Sequence, residues 1–169
     1  MNALLKSAWQ LLGDYLKDTQ LLGSIQSTLY WDQNTCMPIA GSSWRGEQLS
    51  LLAKQLHARQ SCKEFESLIE EAKSELQYQK EKDNLEAKLI TDRFRNIELL
   101  EQDLKRQKSL DPKLVAQLAT AKSEGYMCWQ EARKNNDFKS FSPSLEKLIL
   151  LRKEQSIQLG EQRSCWETL

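Results

Sequence analysis

The chain has 169 residues, 24 Lys and Arg against 24 Asp and Glu, six Gly, three Pro and one His. That length fits one domain with a self-sufficient core, and so few Gly and Pro argue against disorder and against a turn-rich all-β fold. Charge stays balanced along the chain, with five basic and four acidic residues over 1–60, ten and twelve over 61–110, and nine and eight over 111–169. No basic stripe is left for a nucleic acid partner.

The first residues, Met1 to Lys6, are not expected to form a secretory leader. Their apolar side chains begin a helical spacing that continues through Leu4, Leu5, Ala8, Leu11, Leu12, Tyr15 and Leu16. A second short helix is expected over about 18–30, with Leu21, Leu22, Ile25 and Leu29 inward. The period then fails from Trp31 to Gly41, which reads as the longest irregular stretch, either with Trp31 anchored in the core and Asp32 satisfying loop or helix-start amides or as a groove wall that contacts a substrate or another domain. Ser42 or Ser43 can cap a third helix carrying Leu49, Leu52, Ala53 and Leu56. Ser61 and Glu64 have capping-box spacing before Phe65, Leu68, Ile69, Ala72 and Leu76.

The polar run 77–84 is either a solvated helix or a loop. From 85 to 110, Ala87, Ile90, Phe94, Ile97 and Leu104 make a strong helical face, interrupted by Glu101, which has the favoured spacing to Lys105. Fewer than three clean heptads make this an intramolecular core face and not a coiled-coil seam. Asp111-Pro112 is a cap followed by proline at the first helical position. The next helix carries Leu114, Val115, Leu118, Ala121, Met127 or Cys128, and Ala132, and ends near Asn135-Asn136. Ser142-Pro143 repeats the cap-and-proline device before Leu145, Leu148, Ile149, Ile157 and Leu159. The reading is all-α: an elongated antiparallel bundle of about six or seven helices in a single helical domain over 1–169.

Chemistry is sparse. The lone His57 leaves no H-E-x-x-H zinc motif. Cys36, His57 and Cys62 are not at ligand spacing. No glycine-rich phosphate loop occurs, and paired carboxylates such as Glu70/Glu71 and Glu98/Glu101 read as solvated faces. The four scattered cysteines read as reduced thiols filling space in a cytoplasmic protein. No apolar run approaches the roughly 20 residues of a membrane span, so no membrane partner is expected. The unusual feature is the aromatic set Trp9, Tyr30, Trp31 and Trp44.

Three blocks carry a family resemblance. Trp31, Asp32, Thr35, Met37 and Pro38 resemble the W-D-x-x-T-x-M-P segment of the carboxypeptidase Taq family of metallocarboxypeptidases. Arg45, Gln48, Leu52 and His57 are similar to that family's following helix. Trp129, Ala132, Arg133, Asp137, Phe138, Phe141, Pro143 and Glu146 resemble its W-x-x-A-R-x-x-x-D-F-x-x-F-x-P-x-L-E stretch. The resemblance implies a mostly helical cytosolic enzyme, commonly a homodimer, that releases C-terminal residues from peptides with zinc or cobalt.

The family's metal ligands lie beyond these blocks. This chain therefore corresponds to roughly the first third, fragment-like, with the zinc-binding part absent, no cofactor of its own and no catalytic residue to name. The expected partners are a second copy or the missing catalytic part, with peptide substrate only in the full-length context. The alternative is a free-standing, non-catalytic helical protein that self-associates or binds a partner. A weaker option is a helical segment of a different zinc oligopeptidase.

Overall fold

The computed structural model describes residues 6–82, 87–160 and 164–168. Among them the fold is all-α: α1 Ala8–Thr35, a 3-10 turn Ile39–Gly41, α2 Ser42–Ser61, α3 Lys63–Glu81, α4 Ala87–Lys108, α5 Pro112–Lys134, α6 Phe138–Leu159 and α7 Cys165–Thr168. The expectations for Leu4, Leu5 and the start of the 85–110 helix, and for the end of the 77–84 run, lie outside the described residues. The two expected N-terminal helices are one. α1 runs unbroken for 28 residues, and Trp31 to Thr35 form its last turn, so the irregular stretch shrinks to Cys36–Pro38. The chain forms two compact units, one from the described residues of 1–21 and 59–108, the other from those of 22–58 and 109–169.

In the first unit, α1 starts on a capping box. The Gln10 amide donates to Ser7 Oγ at 3.2 Å, and the Ser7 amide donates to Gln10 Oε1 at 3.0 Å. The Trp9 amide donates to the Glu75 carboxylate at 3.0 Å, so α3 supplies a further acceptor to the first turn of α1. Leu12 packs into a core with Phe65, Ile69, Ala72 and Leu76 of α3 and Ile97 and Leu104 of α4. Burying each Leu, Ile or Phe of this core is worth about 1.5–3 kcal/mol.

α3 and α4 run antiparallel, since Glu66 pairs with Lys108, Lys73 with Glu101, and Lys80 lies over the Phe94 ring. Glu101, read as a break in the face, lies at its edge, where Lys73 reaches it at 2.7 Å. The expected capping box at Ser61 does not form. Ser61 is the last residue of α2, and the extended N-cap position falls one residue later, on Cys62, whose side chain makes no capping bond.

What fixes that junction is Tyr15. Its ring stacks on Phe65 at 5.4 Å and lies under the Arg59 guanidinium at 4.1 Å. Its hydroxyl donates to the Arg59 carbonyl at 2.8 Å and sits 3.3 Å from Cys62 Sγ. Burial first, and the Cys62 sulfur second, push the phenol up to about 12, against the partial opposition of Arg59. A phenol that ionises later when folded stabilises the fold fully below its ordinary value near 10 and loses that contribution as pH rises toward 12. An absorbance titration of the four tyrosines is therefore expected to show a component near pH 12 that Tyr15→Phe removes, beside that of Tyr30, whose phenol burial also raises. Persistence of that component in the variant would contradict the assignment.

In the second unit, Asp111 caps α5 by accepting from the Lys113 amide at 2.8 Å, with Pro112 at the first position. α5 ends where Asn136 adopts a left-handed backbone at φ 52. Ser142-Pro143 is not the next cap. Asp137 is, accepting from the Ser140 amide at 3.2 Å, and Pro143 lies inside α6. Its ring removes one ladder bond, to Lys139, a loss confined to the second turn.

α5 and α6 are antiparallel, joined by Asp111 to Gln158 and Glu124 to Lys147. The buried face of α5 includes Ala116, Ala119, Ala121, Ser123 and Gly125, which lets neighbours approach its backbone closely. A Cβ at Gly125 would lie 3.1 Å from Leu148 Cδ1. A second capping box opens α7, between Ser164 and Glu167, and its hydrogen bonds hold the Glu167 carboxyl below the usual range. Leu21, Ile25, Ile149 and Ile157, read as inward, are exposed.

Candidate functional site

The first resembling block folds into the corner between α1 and α2. Asp32 organises it. Its carbonyl accepts from the Cys36 and Met37 amides, both at 2.9 Å, which closes the end of α1. Its carboxylate pairs with Arg45 of α2 at 2.5 Å. Arg45 Nε also donates to Gln48 Oε1 at 2.9 Å, and Nη1 donates to the Leu29 carbonyl. One guanidinium thus ties α2 to the C-terminal turns of α1, where a cation is favoured by the helix dipole.

The Arg45 side chain is 11% exposed and that of Asp32 38%, so the pair is half sheltered from water. The Thr35 hydroxyl donates back to the Trp31 carbonyl at 2.8 Å. Pro38 precedes the 3-10 turn, and Met37 packs against Gly41. His57 lies on the same buried face of α2 as Arg45, Leu49 and Ala53, spaced by fours, and is 3% exposed. The expectation that Trp31 anchors a loop in the core is overturned. Trp31 is 63% exposed, because Asp32 and Arg45 already hold the corner and the tryptophan lies on the outer side of a continuous helix. Trp44 is likewise 67% exposed.

Sequence reasoning missed Gln33. It is 4% exposed, accepts from the Ser123 hydroxyl at 2.9 Å and donates to the Ser123 carbonyl at 3.4 Å. Nothing in its polar neighbourhood signals this burial, since its partner is 90 residues away. The aromatic set is divided between the two units, with Tyr30, Trp31 and Trp44 in the second. Trp9 is in the first unit, lining a cavity of about 360 Å³ with Leu12, Leu16 and Leu100, and Arg93 lies over its ring at 4.9 Å.

The third block builds the α5–α6 corner. Trp129, Ala132, Arg133, Asn136, Phe138 and Phe141 line a cavity of about 310 Å³. Phe138 and Phe141 meet edge-to-face with centroids 6.2 Å apart, and Trp129 leans on Tyr126 at 5.8 Å. The Asp137 amide donates to the Ala132 carbonyl at 2.8 Å, which sets the turn that brings these rings together. Asp137 is occupied as the α6 cap, and Pro143 stiffens the same helix without lining the cavity.

Residues 11–169 match the family model described as Carboxypeptidase Taq (M32) metallopeptidase. The chain belongs to that family. All three blocks fall inside the matched residues.

Among curated M32 relatives, Thermostable carboxypeptidase 1 of Thermus thermophilus is 28% identical over 151 residues, 89% of this chain and 28% of the relative. Carboxypeptidase 1 of Bacillus subtilis is 25% identical over 156 residues, 92% of this chain and 29% of the relative. The crystal structure of BsuCP superposes with a TM-score of 0.80 over 96% of this chain and 31% of that one, at 24% identity. The carboxypeptidase of Pyrococcus furiosus, in its Apo-Mg structure, gives 0.64 over 99% and 31%, also at 24% identity. These likenesses show the fold. The chain spans less than a third of the length of these M32 relatives.

Proposed function

We propose that this chain is the N-terminal, groove-forming portion of a zinc-dependent M32 metallocarboxypeptidase, helical throughout, and that alone it is not catalytic. In the full enzyme it forms a wall that limits which peptides reach the site of C-terminal amino-acid release. The observation that carries this reading is a family match across nearly all of this chain but under a third of each relative.

A zinc or cobalt site needs three protein ligands around an open position. Among the described residues no three His, Cys, Asp or Glu side chains converge to hold a metal, and the single His57 is buried in α2. These residues do not fit the ion, so the chain's own contribution is positional. Four free thiols support a cytoplasmic setting.

The purified chain, supplied with zinc or cobalt and N-blocked peptides, is expected to release no C-terminal amino acid above buffer. Chelator-sensitive release that scales with protein would overturn the reading.

Exposed apolar residues at the α1–α2 corner, Trp31, Ile39 and Trp44, favour a second reading, a free-standing helical protein that self-associates. Light scattering with and without a separately produced catalytic part of an M32 enzyme separates the two. A mixed complex supports the first. A homodimer indifferent to the catalytic part supports the second.

A further inference from the structure

We propose that the α5–α6 corner cavity binds a small aromatic carboxylate, with its ring between Trp129, Phe138 and Phe141 and its carboxylate on Arg133. The cavity, about 310 Å³, lies at the small end of the range for ligand sites. Its lining is three aromatic residues, Ala132 and two polar residues, Arg133 and Asn136. Trp129 and Arg133 are four residues apart on α5 and therefore share a face.

Arg133 is exposed and makes no ion pair among the described residues, although carboxylates lie close in sequence. Both of those are engaged. Glu131 Oε1 accepts from the Asn135 side-chain amide at 2.8 Å, and Asp137 Oδ1 accepts from the Ser140 amide at 3.2 Å. Lys134 and Lys139 flank the corner, both exposed, and with Arg133 they outnumber Glu131 and Asp137 by one charge.

An unpaired guanidinium beside an aromatic cavity matches a planar carboxylate attached to a ring. The fork gives two parallel hydrogen bonds, and the rings give edge and face contacts. A free aromatic acid and a peptide ending in Phe present the same chemistry. This site stands apart from the groove-wall role, since it needs no catalytic part.

The test is a nuclear magnetic resonance titration of the 169-residue chain, following the Trp129 indole signal, assigned by its loss in Trp129→Phe. The ligands are N-acetylphenylalanine, its neutral amide, and a short peptide ending in Phe. Saturable shifts are expected with at least one of the two carboxylates, and the tighter one identifies the source. Arg133→Gln, at an exposed position, is expected to weaken that ligand about tenfold, and Arg133→Lys to retain part of the affinity. Absence of saturable shifts, equal binding of the amide, or unchanged binding by Arg133→Gln would each overturn the proposal.

Discussion

Replacing Arg45 by Met lowers the unfolding free energy by about 2–4 kcal/mol, read from urea denaturation. The side chain is nearly buried and makes three separate contacts, to the Asp32 carboxylate, the Leu29 carbonyl and Gln48. Methionine fills much of the volume but leaves all three acceptors without their donor. The loss stays below that of a fully enclosed ion pair because the Asp32 side chain, 38% exposed, regains water. Arg45→Lys recovers less than half, since an ammonium cannot fork to three acceptors set around a plane. Asp32→Asn costs less than Arg45→Met, because the amide oxygen still accepts. A loss below about 0.5 kcal/mol for Arg45→Met, the range of an ordinary surface change, would mean that the corner is held by packing alone.

Ile97→Ala has an effect of about 3–4 kcal/mol, from lost burial together with the cavity left behind. Ile97 is fully buried and sits in the middle of the α4 face, with Ile90 and Leu104 one heptad away on either side. Ile97→Val costs about 0.5–1.5 kcal/mol. Leu99→Ala, two residues along and 43% exposed at the rim of the Trp9 cavity, costs less than half as much as Ile97→Ala. Equal effects at 97 and 99 in thermal or urea unfolding would contradict the assignment of the buried face.

The periodic part of this fold is legible in the sequence. The α4 face read from Ile90, Phe94, Ile97 and Leu104 is the face that packs on α3, and the cap at Asp111-Pro112 forms as its residue types require. Failures occur where a tertiary contact overrides a local signal. Ser61 and Glu64 have the spacing of a capping box, but the ties among Tyr15, Arg59 and Cys62 place the break one residue later. The boxes that do form, at Ser7 and Ser164, open the first and last described helices.

Trp31-Asp32-Gln33-Asn34 lacks an apolar period, so it reads as loop. It stays helical because Asp32 and Gln33 find partners at Arg45 and Ser123, the second 90 residues away. Of the resembling residues, Asp32, Arg45 and Gln48 are drawn into one network, and Trp129, Arg133, Phe138 and Phe141 into one cavity. A motif written along the chain holds no sign of which of its members meet.

The tie between Trp9 and Glu75 spans 66 residues, and it sets an order of events during synthesis. The start of α1 leaves the ribosome before its core partners on α3 and α4 are made. At about 5–20 residues per second, the 66 residues to Glu75 alone take roughly 3–13 s, and α4 comes later still. Throughout this interval, Leu12, Tyr15 and Leu16 face solvent or whatever else is at hand. The nascent chain thus carries an open apolar stripe of the kind that holding chaperones take up, and the stripe closes only when α3 and α4 have emerged.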